Sequence, residues 1–129
     1  MTTAINAFGY DLIRNVVLRD LLGEDHDSIL YWIGKSLARK HRLELETVDE
    51  LVQFFAAANW GTLTLLKETN RKKVFELTGE WMGKDDERCY QLEAGFLAQQ
   101  YEFASESYAV TTIERKKRAV IFTVQLERI

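Results

Sequence analysis

At Gly61 the spacing of apolar residues changes, and no other feature restricts the folds open to this chain as much. Upstream, apolar side chains recur every three or four residues, the repeat of one helix face; downstream they alternate, as on a strand. Before the change, Val48, Leu51, Val52 and Phe55 keep helical spacing behind Thr47 and Glu50, which have the spacing of a capping box. After "NWG", the stretches "TLTLLKET" and "KKVFELTGEW" read as two strands about a short turn near Asn70 to Lys72. Phe75, Leu77 and Trp81 alternate there with Val74, Glu76, Thr78 and Glu80. Helical spacing returns over 88–103. "SYAVTTIER" and "RAVIFTVQLE" then make a second hairpin around Lys116 and Lys117, with Val120, Phe122, Val124 and Leu126 on one side.

Two more helices precede these elements. The first runs from Tyr10 to Leu22 and closes at Gly23, a helix C-cap position. After the polar turn "EDHDS", where Asp27 or Ser28 offers an N-cap, the second covers about 29–42. Gly34 falls on its apolar side, at a cost of roughly 1 kcal/mol of helix stability relative to alanine, which predicts close approach of another backbone. The layout predicts an α+β fold, N-terminal helices followed by ββαββ, with an antiparallel four-stranded sheet packed against helices. A chain of 129 residues, 47% hydrophobic, suits one domain over its full length.

"RCYQLEAGFLAQQYEF", residues 88–103, holds the anomaly that points to a site. On a helical wheel Cys89, Leu92, Phe96 and Phe103 share an apolar side, and Glu93 and Gln100 land near its centre. A buried unpaired carboxylate costs several kcal/mol, so Glu93 is expected to be neutral, paired or near water. The first expectation is a structural one, with partners from the first half of the chain. Lining a ligand pocket with Gln100 along one polar channel is the alternative, and catalysis the third reading. Cys89 in a first helical turn would have a favoured thiolate, but a small buried hydrophobe is the commoner role of a free cysteine.

A comparable anomaly marks the first helix. Leu12, Ile13, Val16, Val17 and Leu21 wrap most of the way round it, with Asp20 inside the arc. A helix apolar over so wide an angle is fully buried or has neighbours on two sides. The expectation is a twofold homodimer with Val17, Asp20 and Leu21 at the interface, Asp20 meeting Arg14, Arg19 or Arg39.

Other classes of function find little support. A formal net charge of −3 does not invite nucleic acid. The basic turns "NRKK" (70–73) and "ERKKR" (114–118) would form one patch only if both hairpins pointed the same way; solvated hairpin ends are the simpler reading. One cysteine excludes an intrachain disulfide and a cysteine-based metal cluster, and suits a reducing cytoplasm. His26 and His41 make a poor metal pair, so no metal and no cofactor are expected. No HExxH, GxSxG, CxxC or glycine-rich phosphate loop occurs, which argues against an enzyme. The start "MTTAINAFGY" lacks the basic and apolar regions of a signal peptide, and the uncharged run from Leu51 to Leu66 is short for a bilayer, so a cytoplasmic protein without membrane insertion is expected.

The order of elements, with "CYQLEAGFLAQQ" followed by two strands ending "AVIFTVQL", resembles the 4-vinyl-reductase-like and transport-particle-subunit group, within the superfamily of the NO-signalling and Golgi-transport ligand-binding fold. "FGYDLIRNVVLRDLLGEDHDSILYWIGKSLAR", "FFAAANWGTLTLLKE" and "LEAGFLAQQ" resemble most the YslB-like proteins, a functionally uncharacterised family of low-GC Gram-positive bacteria. The resemblance implies a homodimeric or partner-binding domain with an apolar cavity between helices and sheet, and no reaction. Cysteines found in the final hairpin of many 4-vinyl-reductase-like domains are replaced here by residues such as Thr112, Ile113 and Phe122. The expected function is therefore non-enzymatic: a hydrophobic-ligand-binding or regulatory homodimer. The alternative is a protein-interaction adaptor with a filled core, and a cysteine-dependent enzyme stands third.

Overall fold

The computed structural model describes residues 3–128. Helix α1 (Thr3–Leu12) runs through a π-helical turn, Ile13–Val17, into α2 (Leu18–Leu22), so the first helix begins earlier than its apolar pattern predicts. Gly23 closes it with a φ of 64°. A 3-10 turn, Gly23–Asp25, leads directly into α3 (His26–Lys40). The turn predicted over 24–28 is thus shorter, and no side chain caps α3. Helix α4 (Asp49–Ala57) has half of its predicted capping box. Thr47 Oγ1 accepts from the Asp49 N–H at 3.2 Å, while Glu50 turns to the Glu44 N–H at 3.0 Å.

The strands are β1 (Thr62–Glu68), β2 (Lys72–Thr78), β3 (Ser107–Arg115) and β4 (Val120–Arg128), with α5 (Gln91–Ser105) between the hairpins. They form one antiparallel sheet in the order β1-β2-β4-β3. Because β2 and β4 are antiparallel, with Lys72 opposite Gln125 and Leu77 opposite Val120, the two hairpin turns lie at opposite ends of the sheet. The two basic tips therefore form no common patch.

Leu63, Phe75, Leu77, Ala109, Val120, Phe122, Val124 and Leu126 are the buried apolar residues of the sheet's inner face, and Thr111 is buried with them. Above them, Phe54 stacks on Phe96 at 4.6 Å between centroids, and Trp60 meets Phe55 and Phe96 edge-on at 5.0 and 5.2 Å. These rings pack in the layer between helices and sheet.

Helix α5 is buried on all sides, every residue from Glu93 to Tyr101, so a single apolar face was the wrong frame for it. The sheet lies under it and α3 crosses over it. At that crossing a Cβ on Gly34 would sit 2.1 Å from the Leu92 carbonyl oxygen, and one on Gly95 2.0 Å from that of Tyr31. Gly34 is thus explained by backbone contact, as its place on the apolar side predicts. Tyr31, on the same turn of α3, accepts at its hydroxyl from the Thr111 N–H of edge strand β3 at 3.1 Å, satisfying a donor that β4 does not reach.

Candidate functional site

Two buried arginines join the N-terminal helix to the start of α5. Arg14 lies on the π-helical turn and is 3% exposed. Its Nη2 donates to Glu93 Oε1, within a buried ion pair, and to the Cys89 carbonyl at 2.7 Å; its Nη1 donates to the Tyr10 hydroxyl at 2.7 Å. Burial alone would lower the pKa of this guanidinium, but the Glu93 carboxylate and Tyr10 together raise it, so Arg14 stays charged. Glu93 Oε2 and Arg14 Nε have no protein partner among the described residues.

Arg88 is the second anchor, 1% exposed, and its Nη2 donates to Asp11 Oδ1 at 2.6 Å. Its guanidinium carbon lies 3.8 Å from the Trp81 ring centre and 5.2 Å from that of Tyr10, an arginine held by aromatic faces. Around it, Asp86 accepts from the Arg88 N–H at 2.9 Å and from the Tyr90 hydroxyl at 2.6 Å, and Arg115 donates to the Arg88 carbonyl at 2.8 Å. Burial, with Asp86 adding to it, pushes the Tyr90 phenol up.

Arg88, Cys89 and Tyr90 precede α5 instead of opening it. The wheel placed them in the helix because their polar–apolar pattern fits its period, but their side chains are drawn off to Trp81, Asp27 and Asp86. The Gln91 N–H at the start of α5 favours the Cys89 thiolate, but burial outweighs it. Cys89 is half-buried, its thiol donates to Asp27 Oδ1 at 3.3 Å, and burial with that acceptor pushes it up to about 11. Asp27 Oδ1 also pairs with His26 Nδ1 at 2.9 Å, and those hydrogen bonds hold the carboxyl below its usual range.

Glu93 and Gln100 do not line one channel. Gln100 Nε2 donates to the His41 carbonyl at 2.8 Å and its Oε1 accepts from the Leu43 N–H at 3.0 Å, so it ties the chain after α3 to α5. Glu93 instead takes its arginine from the π turn, two helical turns away. Glu93 thus has a partner from the first half of the chain, as expected, but it is Arg14, which the sequence names only as a candidate partner for Asp20. A signal was present: Tyr10 and Arg14, four residues apart, stack on one helix face.

The outer face of the N-terminal helix is the reverse of an ordinary surface. Phe8, Leu12, Ile13, Val16, Val17 and Leu21 are all exposed, Leu21 at 74%, while Tyr10, Asp11, Arg14 and Asn15 turn toward the domain. Asp20 is exposed beside these apolar residues. Arg14 is engaged inward and Arg19 donates to the Glu87 carbonyl at 3.0 Å, so neither pairs with it. Trp32 and Ile33 add exposed apolar surface on α3.

Comparison with known proteins bears on this arrangement. The family described as "Protein of unknown function (DUF2507)" matches residues 7–125. The chain belongs to that family. As a member, it is 42% identical over 127 residues to the uncharacterized protein YslB of Bacillus subtilis strain 168, covering 94% of this chain and 84% of that one. Its fold matches the crystal structure of a vinyl-4-reductase family protein from Methanocaldococcus jannaschii, with a TM-score of 0.59, 20% identity, and 98% and 83% of the two chains covered. At that identity the likeness concerns the fold alone. No helix among the described residues is long and apolar enough to cross a membrane.

Proposed function

We propose that the protein is a non-enzymatic, cytoplasmic homodimer that acts as an interaction module, with the outer face of its N-terminal helix on the twofold axis. One observation carries this reading: that helix presents its polar side to its own domain and its apolar side outward. Six such side chains, each about half buried further in each copy, are worth on the order of 10 kcal/mol before the costs of association. Exposed Arg19 and Arg39 on the two helices, with Asp20 and with Glu24 and Asp25 in the turn between them, supply both signs of charge, as a self-complementary contact requires. The acidic residues oppose an anionic lipid surface.

The aromatic-filled interior favours this adaptor-like dimer over a hydrophobic ligand held between helices and sheet. Trp32 and Ile33 are then available to a further protein partner.

Light scattering at micromolar concentration tests the proposal. The wild-type chain of 15.0 kDa should run at about twice its mass. Val17→Arg and Leu21→Arg, at positions exposed in the single chain, should give folded monomers. A wild-type monomer overturns the reading, and a monomer that floats with lipid vesicles assigns the face to a membrane instead.

A further inference from the structure

We infer that His26, Asp27 and Cys89 form a binding site for one divalent transition-metal ion of the zinc class. Nothing in the sequence suggests it, because Cys89 lies 62 residues from Asp27 and the fold alone joins them. One ligand atom from each of the three falls within 4.8 Å of the other two, with Asp27 Oδ1 at 2.9 Å from His26 Nδ1 and 3.3 Å from Cys89 Sγ. Tetrahedral zinc bonds of about 2.0–2.3 Å put neighbouring ligand atoms roughly 3.3–3.6 Å apart, inside the spread found here. Small side-chain adjustments therefore close the three onto one ion.

The donor set also selects the ion. A thiolate and an imidazole suit zinc or cobalt, and disfavour magnesium and calcium, which take oxygen ligands. Binding replaces two hydrogen-bonding protons by one cation. The thiol proton leaves to solvent as the sulfur–metal bond forms, and the imidazole proton moves from Nδ1 to Nε2. One carboxylate and one thiolate then balance the ion's charge. Of the nearby cations, Arg14 is already matched by Glu93, and Arg19 donates to a carbonyl. His26 is 3% exposed and its Nε2 has no protein partner among the described residues, so the site lacks the second hydrogen bond that strengthens most metal-binding histidines. Three protein donors leave a fourth position. Asp27 and Cys89 line a cleft of about 360 Å³, with Arg19, Arg115 and Gln91 among its walls, so solvent in that cleft borders two of the three donors.

This site goes beyond self-association and does not depend on it. Titration of the chelator-treated full chain with Co²⁺ is the test. One equivalent should bind, with thiolate-to-cobalt charge-transfer absorption that Zn²⁺ abolishes. Cys89→Ser should remove the charge-transfer band. Asp27→Asn should weaken Co²⁺ binding at least tenfold; it changes an exposed side chain, so circular dichroism should stay that of the wild type. His26→Gln should weaken binding as much. Absence of the band in folded wild-type protein overturns the inference. So does an affinity unchanged in both Asp27→Asn and His26→Gln, which would mean that the thiol alone captures the metal.

Discussion

Helix α5 and the N-terminal helix are attached to the same sheet-and-helix body by opposite means. α5 lies between the sheet and α3, bounded by Phe96, Leu97 and Tyr101 and by backbone contact at Gly95. Its attachment is chiefly apolar and distributed along its length. The N-terminal helix is held chiefly by polar side chains, Arg14 on Glu93 and the Cys89 carbonyl, and Asp11 on Arg88, while Phe8, Leu12, Ile13, Val16, Val17 and Leu21 face away. Dispersed packing loses stability in proportion to the atoms removed, whereas a buried ion pair fails as a unit when one partner goes. The two helices should therefore respond differently to small changes in sequence.

The largest effect is expected at the arginine anchor. Arg14→Met leaves Glu93 buried without its cation and should cost about 3–5 kcal/mol in urea unfolding. Arg14→Met combined with Glu93→Leu should recover most of that loss, because an apolar pair of similar size needs no desolvation. A single variant within about 1 kcal/mol of wild type would show that the ion pair does not anchor the helix, and the contrast would dissolve.

Next in size is the crossing of α3 and α5. Gly95→Ala introduces a methyl group against the Tyr31 carbonyl, which belongs to backbone and cannot swing away. A loss of about 3 kcal/mol, near the top of the usual range for overpacking, is expected in the same measurement. Full tolerance of alanine would mean that the helices move apart easily and that α5 is less tightly enclosed than its burial implies. Gln100→Ala should cost less, about 1–3 kcal/mol, by freeing the His41 carbonyl and the Leu43 N–H. Its thermal unfolding midpoint should fall while the mass in light scattering stays that of the wild type, since neither group faces the outer helix.

How legible this was depended on which physical rule each residue obeyed. The strands, α4 and Gly34 follow local periodicity and steric need, so their pattern survives in the sequence. Glu93 stood out for the same reason: a carboxylate inside an apolar arc must find a partner. Arg14 and Arg88 did not stand out, since arginine ordinarily lies at the surface and their burial depends on aromatic rings and carboxylates brought in from far along the chain. The start of α5 differs because a wheel assumes that side chains follow the helix, whereas Arg88, Cys89 and Tyr90 follow partners outside it, Trp81, Asp27 and Asp86. His26 and Cys89 could not have been paired at all without the turn of the chain between α2 and α3.

The π-helical turn at Ile13–Val17 has a consequence for chain length. An α-helix advances about 100° per residue, and a π turn absorbs one extra residue, so everything after it is set back by about that angle. Wound as a regular helix, Phe8 and Leu12 would point one way and Val17 and Leu21 nearly the other, which is why the apolar arc looked too wide for a single surface. The extra residue resets the phase, and both halves face outward together while Arg14 and Leu18 face in. Remove one residue between 13 and 17 and the composition hardly changes, yet the second half of the helix would turn its apolar side inward. In this segment residue count, more than residue identity, decides which surface the molecule shows to its surroundings.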